Sequence, residues 1–232
     1  MRIITAVFDY PGINKYARCL RALSNSIYAT NKDASFKKIR LHPPSPVDGA
    51  YQGWVNNHIK LEAYSREPLD ENTMFVDADT VFLRNADHLF YDDFDIGIAR
   101  RPGKQKSIYN GGVVLVKPTE AARTFMEHWI AVDTRMLYDQ EFHSEWHKKY
   151  RGQNQSSMGY LIENNPCKLK IKEFPTSVIN ACEQDWQNVL QIKPYILHVR
   201  KWLLELALSD IPLEDLSYKH KDAVKIWRDF EK

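Results

Sequence analysis

The stretch "MFVDADTVFL", residues 74–83, is an apolar, strand-like run that Asp77 and Asp79 interrupt. An ionised carboxylate inside a buried strand is costly unless it is paired or binds a metal ion. Side chains at positions i and i+2 of a strand point to the same face, so the pattern predicts that the two aspartates project together while Ala78 points away. Adjacent carboxylates repel each other unless a cation lies between them, and their oxygen atoms suit Mg²⁺ or Mn²⁺. A solvated strand end is the competing interpretation.

On both sides of this stretch, strand-like runs alternate with helical patterns, which predicts a mainly parallel α/β sheet with flanking helices. Ligands gather at the carboxyl ends of strands in such sheets, so the end of the run "TMFVD" is a candidate binding position. We see no internal repeat or linker, and we therefore expect a single domain over residues 1–232 with a C-terminal helical segment at about 203–232. The predicted strands are residues 2–8, 36–42, 74–83, 94–100, 111–118, 168–175 and 194–202. The predicted helices begin near residues 13, 53, 119, 154 and 213, the first with Asn14 as its cap.

Composition excludes several classes of protein. The chain has 232 residues, 44% of them hydrophobic, which is enough for a sizeable core. A net charge of +2 gives no case for a nucleic-acid binder that relies on a strongly basic surface. Three cysteines without a CxxC pair favour reduced thiols and a cytoplasmic location. No apolar run has the length of a signal or transmembrane segment, although the pattern leaves peripheral membrane contact through the C-terminal part open.

Five short segments together resemble the metal-dependent glycosyltransferases of GT-A fold, most closely glycosyltransferase family 8. In chain order they are "TAVFDY", "HIKLEAY", "MFVDADTVFLRNADHLF", "YNGGVVLVKP" and "ILHVRKW". The resemblance implies a single GT-A (Rossmann-like) domain that binds Mn²⁺ or Mg²⁺ and a nucleoside-diphosphate sugar, with uracil as the expected base. It also implies an enzyme that transfers a hexose to a hydroxyl group of a glycan or another acceptor.

The same resemblance implies roles for particular residues. The implied metal ligands are Asp77, Asp79 and His198, with Asp77 alternatively in contact with the ribose. Asn110, Asn154 and Gln155 would lie near the reacting sugar. The residues implied to hold the donor nucleotide and its diphosphate are Thr5, Ala6, Tyr10, Lys60, Asp77, Ala78, Gly111 and Lys201.

One departure from the family concerns stereochemistry. Where the family commonly has Asp-Gln, this chain has Asn154-Gln155 in "QNQSSMGYL". Inversion of the anomeric configuration needs a carboxylate base at the acceptor hydroxyl, and neither of these side chains can serve as one, which favours retention. Inversion stays open through the remaining carboxylates Glu141, Glu163, Glu183 and Asp185.

Two other functions are compatible with parts of the pattern. A sugar-phosphate nucleotidyltransferase shares the fold and an acidic metal site, but such enzymes usually carry a glycine-rich loop after the first strand, where this chain reads "DYPGINKY". A non-catalytic carbohydrate- or nucleotide-binding module would explain the aromatic residues but gives no reason for the aspartate pair. Separately, Trp186 in "EQDW", residues 183–186, has two open roles: ordinary packing, or stacking on an acceptor sugar.

Overall fold

The computed structural model of the protein describes residues 1–9, 14–42, 49–103 and 108–232. Tyr10, which the resemblance places at the nucleoside, lies outside the described residues. The strands are β1 (Arg2–Phe8), β2 (Ser35–Leu41), β3 (Thr73–Val76), β4 (Thr80–Phe82), β5 (Ile96–Arg100), β6 (Tyr109–Val116), β7 (Ile171–Pro175) and β8 (Ile196–His198). The helices are α1 (Lys15–Thr30), α2 (Gly49–Ser65), α3 (Glu120–Tyr138), α4 (Gln140–Tyr150), α5 (Gln153–Asn164), α6 (Thr176–Ile179), α7 (Val189–Ile192), α8 (Trp202–Leu208) and α9 (Tyr218–Glu231). Three 3₁₀ turns lie at Asp87–Phe90, Trp186–Asn188 and Leu213–Asp215.

Six strands form one sheet in the order β2-β1-β3-β6-β5-β7. β1 runs parallel to both β2 and β3, and β5 runs parallel to β7, whereas β6 is antiparallel to both of its neighbours. Five of the six strands therefore point the same way, which confirms the predicted mainly parallel α/β sheet. Because β6 is reversed, its amino end lies beside the carboxyl end of β3, where the Asp77 N–H donates to the Gly112 carbonyl at 2.8 Å.

The stretch "MFVDADTVFL" is not one strand, so the sequence prediction was wrong here. β3 ends at Val76, the next three residues form a turn, and β4 pairs with β8 in a separate two-stranded sheet. The Thr80 hydroxyl donates to the Asp77 carbonyl at 2.7 Å and closes the turn. The two carboxylates are thus brought together by a turn between two sheets and not by the alternation of side chains along one strand.

Alternate residues of the sheet pack against opposite helical layers. Ile4 and Phe75 belong to the core shared with α2, α3 and α5, while Ile3 and Met74 belong to the core shared with α1. All four side chains are at most 2% exposed. This period of two explains why the strands read as continuous apolar runs, because both faces of the sheet are covered.

Most predicted helices are confirmed, with some differences at their ends. Asn14 occupies the cap position of α1, but its side chain makes no capping hydrogen bond, whereas the Thr119 hydroxyl accepts from the Ala122 N–H and caps α3. At the C-terminus, α8 and α9 pack with α1 around Trp186 and Trp227. Among the described residues, none of the helices combines the length and the apolar character needed to cross a membrane.

Candidate active site

A cleft opens where β1 and β3 separate. The two strands pair only as far as Ile4 and Phe75. Beyond this point the Tyr64 hydroxyl bridges them, accepting from the Ala6 N–H at 3.2 Å and donating to the Val76 carbonyl at 3.1 Å. Burial raises the pKa of Tyr64 to about 12, so this hydroxyl stays protonated and keeps donating.

The cleft has a volume of about 310 Å³, and both polar and apolar side chains line it. It is lined by residues from β1, α1, α2, the turn after β3 and the start of α8: Ala6, Val7, Phe8, Lys15, Tyr16, Asn56, Asn57, Lys60, Asp77, Ala78, Asp79, Lys201 and Leu204. Six of the residues assigned to the metal or the donor nucleotide from the sequence therefore meet here. Thr5 is fully buried beneath the cleft.

Asp77, Asp79 and His198 form a cluster at this cleft with all three potential ligand atoms within 4.8 Å of one another. His198 Nε2 lies 3.1 Å from Asp79 Oδ1 and 3.8 Å from Asp77 Oδ2. The pairing of β4 with β8 sets this geometry, because Thr80 stands opposite His198 and the Val199 N–H donates to the Asp79 carbonyl at 2.9 Å. Two carboxylates and one imidazole fit a divalent cation such as Mn²⁺, and both carboxylates stay about one quarter exposed towards the cleft.

The orientation of His198 is fixed by two residues that the sequence did not reveal. Its Nδ1 lies 2.9 Å from the Asn180 amide oxygen, a contact in which a protonated Nδ1 would donate and would leave Nε2 as the atom that meets a cation beside the two carboxylates. Trp186 donates its indole N–H to the His198 carbonyl at 3.0 Å. Trp186 is only 1% exposed, so it packs inside the protein and the suggestion that it stacks on an acceptor sugar was wrong.

Gly112 leaves room for the cluster. A Cβ atom at this position would lie 2.5 Å from His198 Cε1 and 3.0 Å from Asp77 Oδ2, closer than real Cβ contacts come. The second glycine of "NGG" is therefore required by the close approach of the imidazole to the backbone of β6.

Lys60 on α2 forms an ion pair with Asp77. Burial alone would lower the pKa of Lys60, but the neighbouring Asp77 carboxylate outweighs it and the pKa lies above its ordinary value. Burial likewise opposes ionisation of Asp77, but the Lys60 ammonium outweighs it and lowers the pKa of that carboxyl. Both groups are therefore charged, and the Lys60 ammonium lies at the cleft beside the cluster of Asp77, Asp79 and His198.

Lys201 has an unusual backbone conformation. It precedes α8 with φ 55° and ψ −134°, a combination that is almost restricted to glycine. Its side chain lines the cleft, is 67% exposed, and places Nζ 3.6 Å from Glu183 Oε1. The Lys201 ammonium thus reaches the cleft from the start of α8, at the cost of a strained residue.

The three residues that the sequence placed near the reacting sugar differ in their contacts. Asn110 is buried, with Oδ1 accepting from the Gly112 N–H at 3.0 Å and Nδ2 directed at Cys182 Sγ. Asn154 packs against Gly111, and its amide oxygen is buried without a hydrogen-bond partner in the described part of the protein. The Gln155 amide instead folds back over the glycine that precedes α5.

A buried network that sequence reasoning missed supports this side of the cleft. Asp133 of α3 is fully buried and accepts from the Ser157 hydroxyl at 2.6 Å, while its other oxygen lies 2.9 Å from His58 Nδ1. His58 precedes Lys60 by two residues on α2, and Ser157 follows Asn154 on α5. The network therefore ties the helices that carry the cleft lysine and the sugar-side amide to one another.

Three of the four carboxylates that kept inversion open are hydrogen-bonded or ion-paired, and the fourth is exposed on α4. Glu163 contacts Lys149 and Tyr150, and Asp185 accepts from the Cys182 N–H at 3.2 Å. Burial opposes ionisation of Glu183, but Arg200 outweighs it and lowers the pKa of that carboxyl to about 2. Glu141 lies in the exposed first turn of α4.

Sequence comparisons identify a protein family and two curated relatives that this chain resembles. The model of a family described as "Nucleotide-diphospho-sugar transferase" matches residues 68–201, more than half of the chain. Two curated proteins of Arabidopsis thaliana are similar in sequence. "Putative UDP-glucuronate:xylan alpha-glucuronosyltransferase 4" is 28% identical over 68% of this chain, and "UDP-glucuronate:xylan alpha-glucuronosyltransferase 1" is 25% identical over 58% of it. The matched regions amount to only 26% and 20% of those proteins.

Solved structures establish the fold. A glycosyltransferase involved in glycosylation of the major capsid of PBCV-1 superimposes with a TM-score of 0.59 at 11% identity, over 97% of this chain and 98% of the other. The galactosyltransferase LgtC superimposes with a TM-score of 0.57 at 12% identity, over 99% and 95% of the two chains. GlyE of Streptococcus pneumoniae gives 0.60 at 12% identity, over 99% and 60%. The GT-A glycosyltransferase fold inferred from the five segments is thereby confirmed.

Proposed function

Because the chain belongs to the nucleotide-diphospho-sugar transferase family, we propose that it transfers a hexose from a UDP-sugar to a hydroxyl group of a glycan, using a divalent cation and retaining the anomeric configuration. The observation that carries this function is the cluster of Asp77, Asp79 and His198 at the edge of the cleft. UDP is the favoured nucleotide because both curated relatives are named for UDP-glucuronate.

Loss of the nucleoside diphosphate is the step that needs help, since negative charge grows on the departing group. A divalent cation at the cluster would supply Lewis-acid stabilisation of that charge. Lys60 and Lys201 line the same cleft and would bind the diphosphate from two sides. Asn180 contacts Nδ1 of His198 and would hold the imidazole with Nε2 towards that cation.

Retention is supported by the absence of a basic carboxylate from the two positions assigned to the sugar's reacting face. Asn154 packs against Gly111 with a free amide oxygen, which would contact the transferred sugar. We expect hydrolysis of the donor in the absence of acceptor to release the sugar first as the same anomer that the donor carries. Proton NMR immediately after mixing distinguishes the two anomers, and initial release of the opposite anomer would contradict retention.

The binding experiment is a thermal unfolding series with Mn²⁺, UDP, or both. At one hundred times its dissociation constant, a ligand stabilises the folded state by about 2.7 kcal/mol. For a chain of this size that corresponds to about 5–10 °C in the thermal midpoint. We expect this shift only when UDP and Mn²⁺ are both present.

Asp79→Asn should abolish the metal-dependent shift and the slow hydrolysis of a UDP-sugar. The matched control is Asp93→Asn, because Asp93 is an exposed carboxylate that pairs with Lys170 outside the cleft. This control should behave as the wild type. If no nucleoside diphosphate gives a metal-dependent shift, the proposed function is wrong, and pyrophosphate release from UTP and a sugar phosphate would indicate the nucleotidyltransferase instead.

A further inference from the structure

Three cationic side chains surround the Glu183 carboxylate near the proposed metal ligands. Arg200 Nη2 lies 2.5 Å from Glu183 Oε1, Lys201 Nζ lies 3.6 Å from the same atom, and Arg101 Nη2 lies 3.8 Å from Oε2. Both arginine side chains are less than one fifth exposed. Their Nε atoms are buried and find no hydrogen-bond partner among the described residues. The guanidinium groups are therefore only partly satisfied by Glu183.

The position of this group follows from the order of strands in the sheet. The cleft begins at β1, the metal cluster follows the end of β3, and the sugar-side residues Asn110 and Gly111 begin β6. Arg101 directly follows β5, the next strand in that order, and its N–H donates to the Ile108 carbonyl beside β6. Because Val76 pairs with Val113 and Arg100 with Tyr109, the ends of β3 and β5 are about 10 Å apart across the sheet and about 13 Å apart along β6. The Arg101 guanidinium comes back to Glu183 beside Arg200, so a donor that runs from nucleoside to sugar across the strand ends would bring its sugar towards this side chain.

The charges of the site leave one cation without a partner. A divalent ion bound by Asp77 and Asp79 is neutralised by them, so Lys60 and Lys201 match the doubly ionised diphosphate of a sugar nucleotide. Arg101, Arg200 and Glu183 together carry one positive charge in excess; the Asp185 carboxyl also interacts with Arg101, but it is buried, and burial raises its pKa and so favours its uncharged form. A neutral hexose would leave the excess charge uncompensated in a largely buried position, whereas a singly charged anion would match it.

We propose that Arg101 and Arg200, positioned by Glu183, bind the carboxylate at C6 of the donor sugar, so that the donor class is a nucleoside-diphosphate uronate. The planar guanidinium fork matches a carboxylate with two parallel hydrogen bonds, which an ammonium cannot do. This inference rests on the proposed function and names the substrate class of the same site. Arg101 and Arg200 would then be the residues that discriminate between an acidic and a neutral donor.

The test compares UDP-glucuronate with UDP-glucose, which differ only in the oxidation of C6. Dissociation constants are measured by titration calorimetry with Mn²⁺ present, together with the constant for UDP alone. A hydrogen bond to a charged group contributes about 1.5–3 kcal/mol, so we expect the wild type to bind the uronate about 10- to 150-fold more tightly than the glucose donor.

Arg101→Ala should remove most of this preference and leave UDP affinity unchanged, because Arg101 does not line the diphosphate cleft. Arg101→Lys keeps the positive charge but lacks the two parallel N–H donors of the guanidinium group. It should retain a smaller preference for the uronate donor. The matched control is Arg100→Ala, since Arg100 is half exposed and pairs with Glu173. It should keep the preference of the wild type.

Equal affinity of the wild type for the two donors, with normal metal-dependent binding of UDP, would overturn the uronate site and leave the proposed function standing. Retention of the full preference in Arg101→Ala would also overturn it. Failure of UDP itself to bind with Mn²⁺ would instead refute the proposed function.

Discussion

Lys201 offers a test in which backbone strain and cleft function are separated. Its φ of 55° with ψ −134° lies in a region that non-glycine residues enter at a cost of about 1–3 kcal/mol. Lys201→Gly removes that cost, while glycine's freedom in the unfolded chain takes back about 0.5–1 kcal/mol. The ion pair with Glu183 that is lost is exposed and contributes about 0–1 kcal/mol. We therefore expect the free energy of unfolding to rise by about 1 kcal/mol.

Lys201→Ala is the matched comparison, because alanine loses the same ammonium but keeps the Cβ atom that causes the strain. The glycine variant should be more stable than the alanine variant by about 1–2 kcal/mol in urea denaturation without ligand. A difference of 1 kcal/mol corresponds to about 2–4 °C in the thermal midpoint of a chain of this size. Both variants should bind UDP with Mn²⁺ more weakly than the wild type, since each lacks the Lys201 ammonium that lines the cleft.

Two results would refute this reasoning. Equal stability of the glycine and alanine variants would mean that the backbone at residue 201 is not strained. Undiminished UDP affinity in both would mean that the Lys201 ammonium does not reach the diphosphate. The expected combination, higher stability with weaker ligand binding, would show that the protein sacrifices stability to place a cation at the cleft.

Three further outcomes are expected. Asn180→Ala frees the His198 imidazole to rotate and should weaken Mn²⁺ binding by about 10- to 100-fold, as measured by electron paramagnetic resonance of the free ion; unchanged affinity would remove Asn180 from this role. Gly112→Ala places a Cβ atom 2.5 Å from His198 and should abolish metal-dependent stabilisation by UDP, and full retention would contradict the packing argument. Glu183→Gln should lower stability at pH 6, because the folded-state pKa of about 2 lies below the ordinary 4.5 and the carboxylate is stabilising above that range. The deficit relative to wild type should shrink as the pH falls towards 3 in urea denaturation, and a deficit independent of pH would exclude the pairing with Arg200.

The sequence predicted the strands and helices whose own apolar pattern is clear. β1 reads as a strand because its residues are β-branched or apolar and both faces of the sheet are covered. α3 was predicted through the helical spacing of its apolar residues, whereas its threonine cap was found in the structure. α4 was missed, because "QEFHSEWHKKY" has few apolar residues and only His143 and Tyr150 are buried.

The sequence could not reveal contacts that depend on distant partners. The run "MFVDADTVFL" breaks because Thr80–Phe82 pairs with β8 in a second sheet. β8 lies more than one hundred residues later in the chain. Asn180 belongs to no recognisable motif, and its role exists only because α6 ends beside His198. The aspartate pair was proposed from its pattern and His198 from resemblance to a family, whereas the residues that contact His198 required the structure.

The pairing of β4 with β8 also determines when the site can exist during synthesis of the chain. Asp79 and His198 are 119 residues apart, so a growing chain carries both aspartates long before the histidine emerges from the ribosome. A slip of one residue between the two short strands would turn His198 to the opposite face of the sheet. A bound cation consequently cannot guide the early steps of folding. A cation at the proposed site would stabilise only the correct register of β4 and β8.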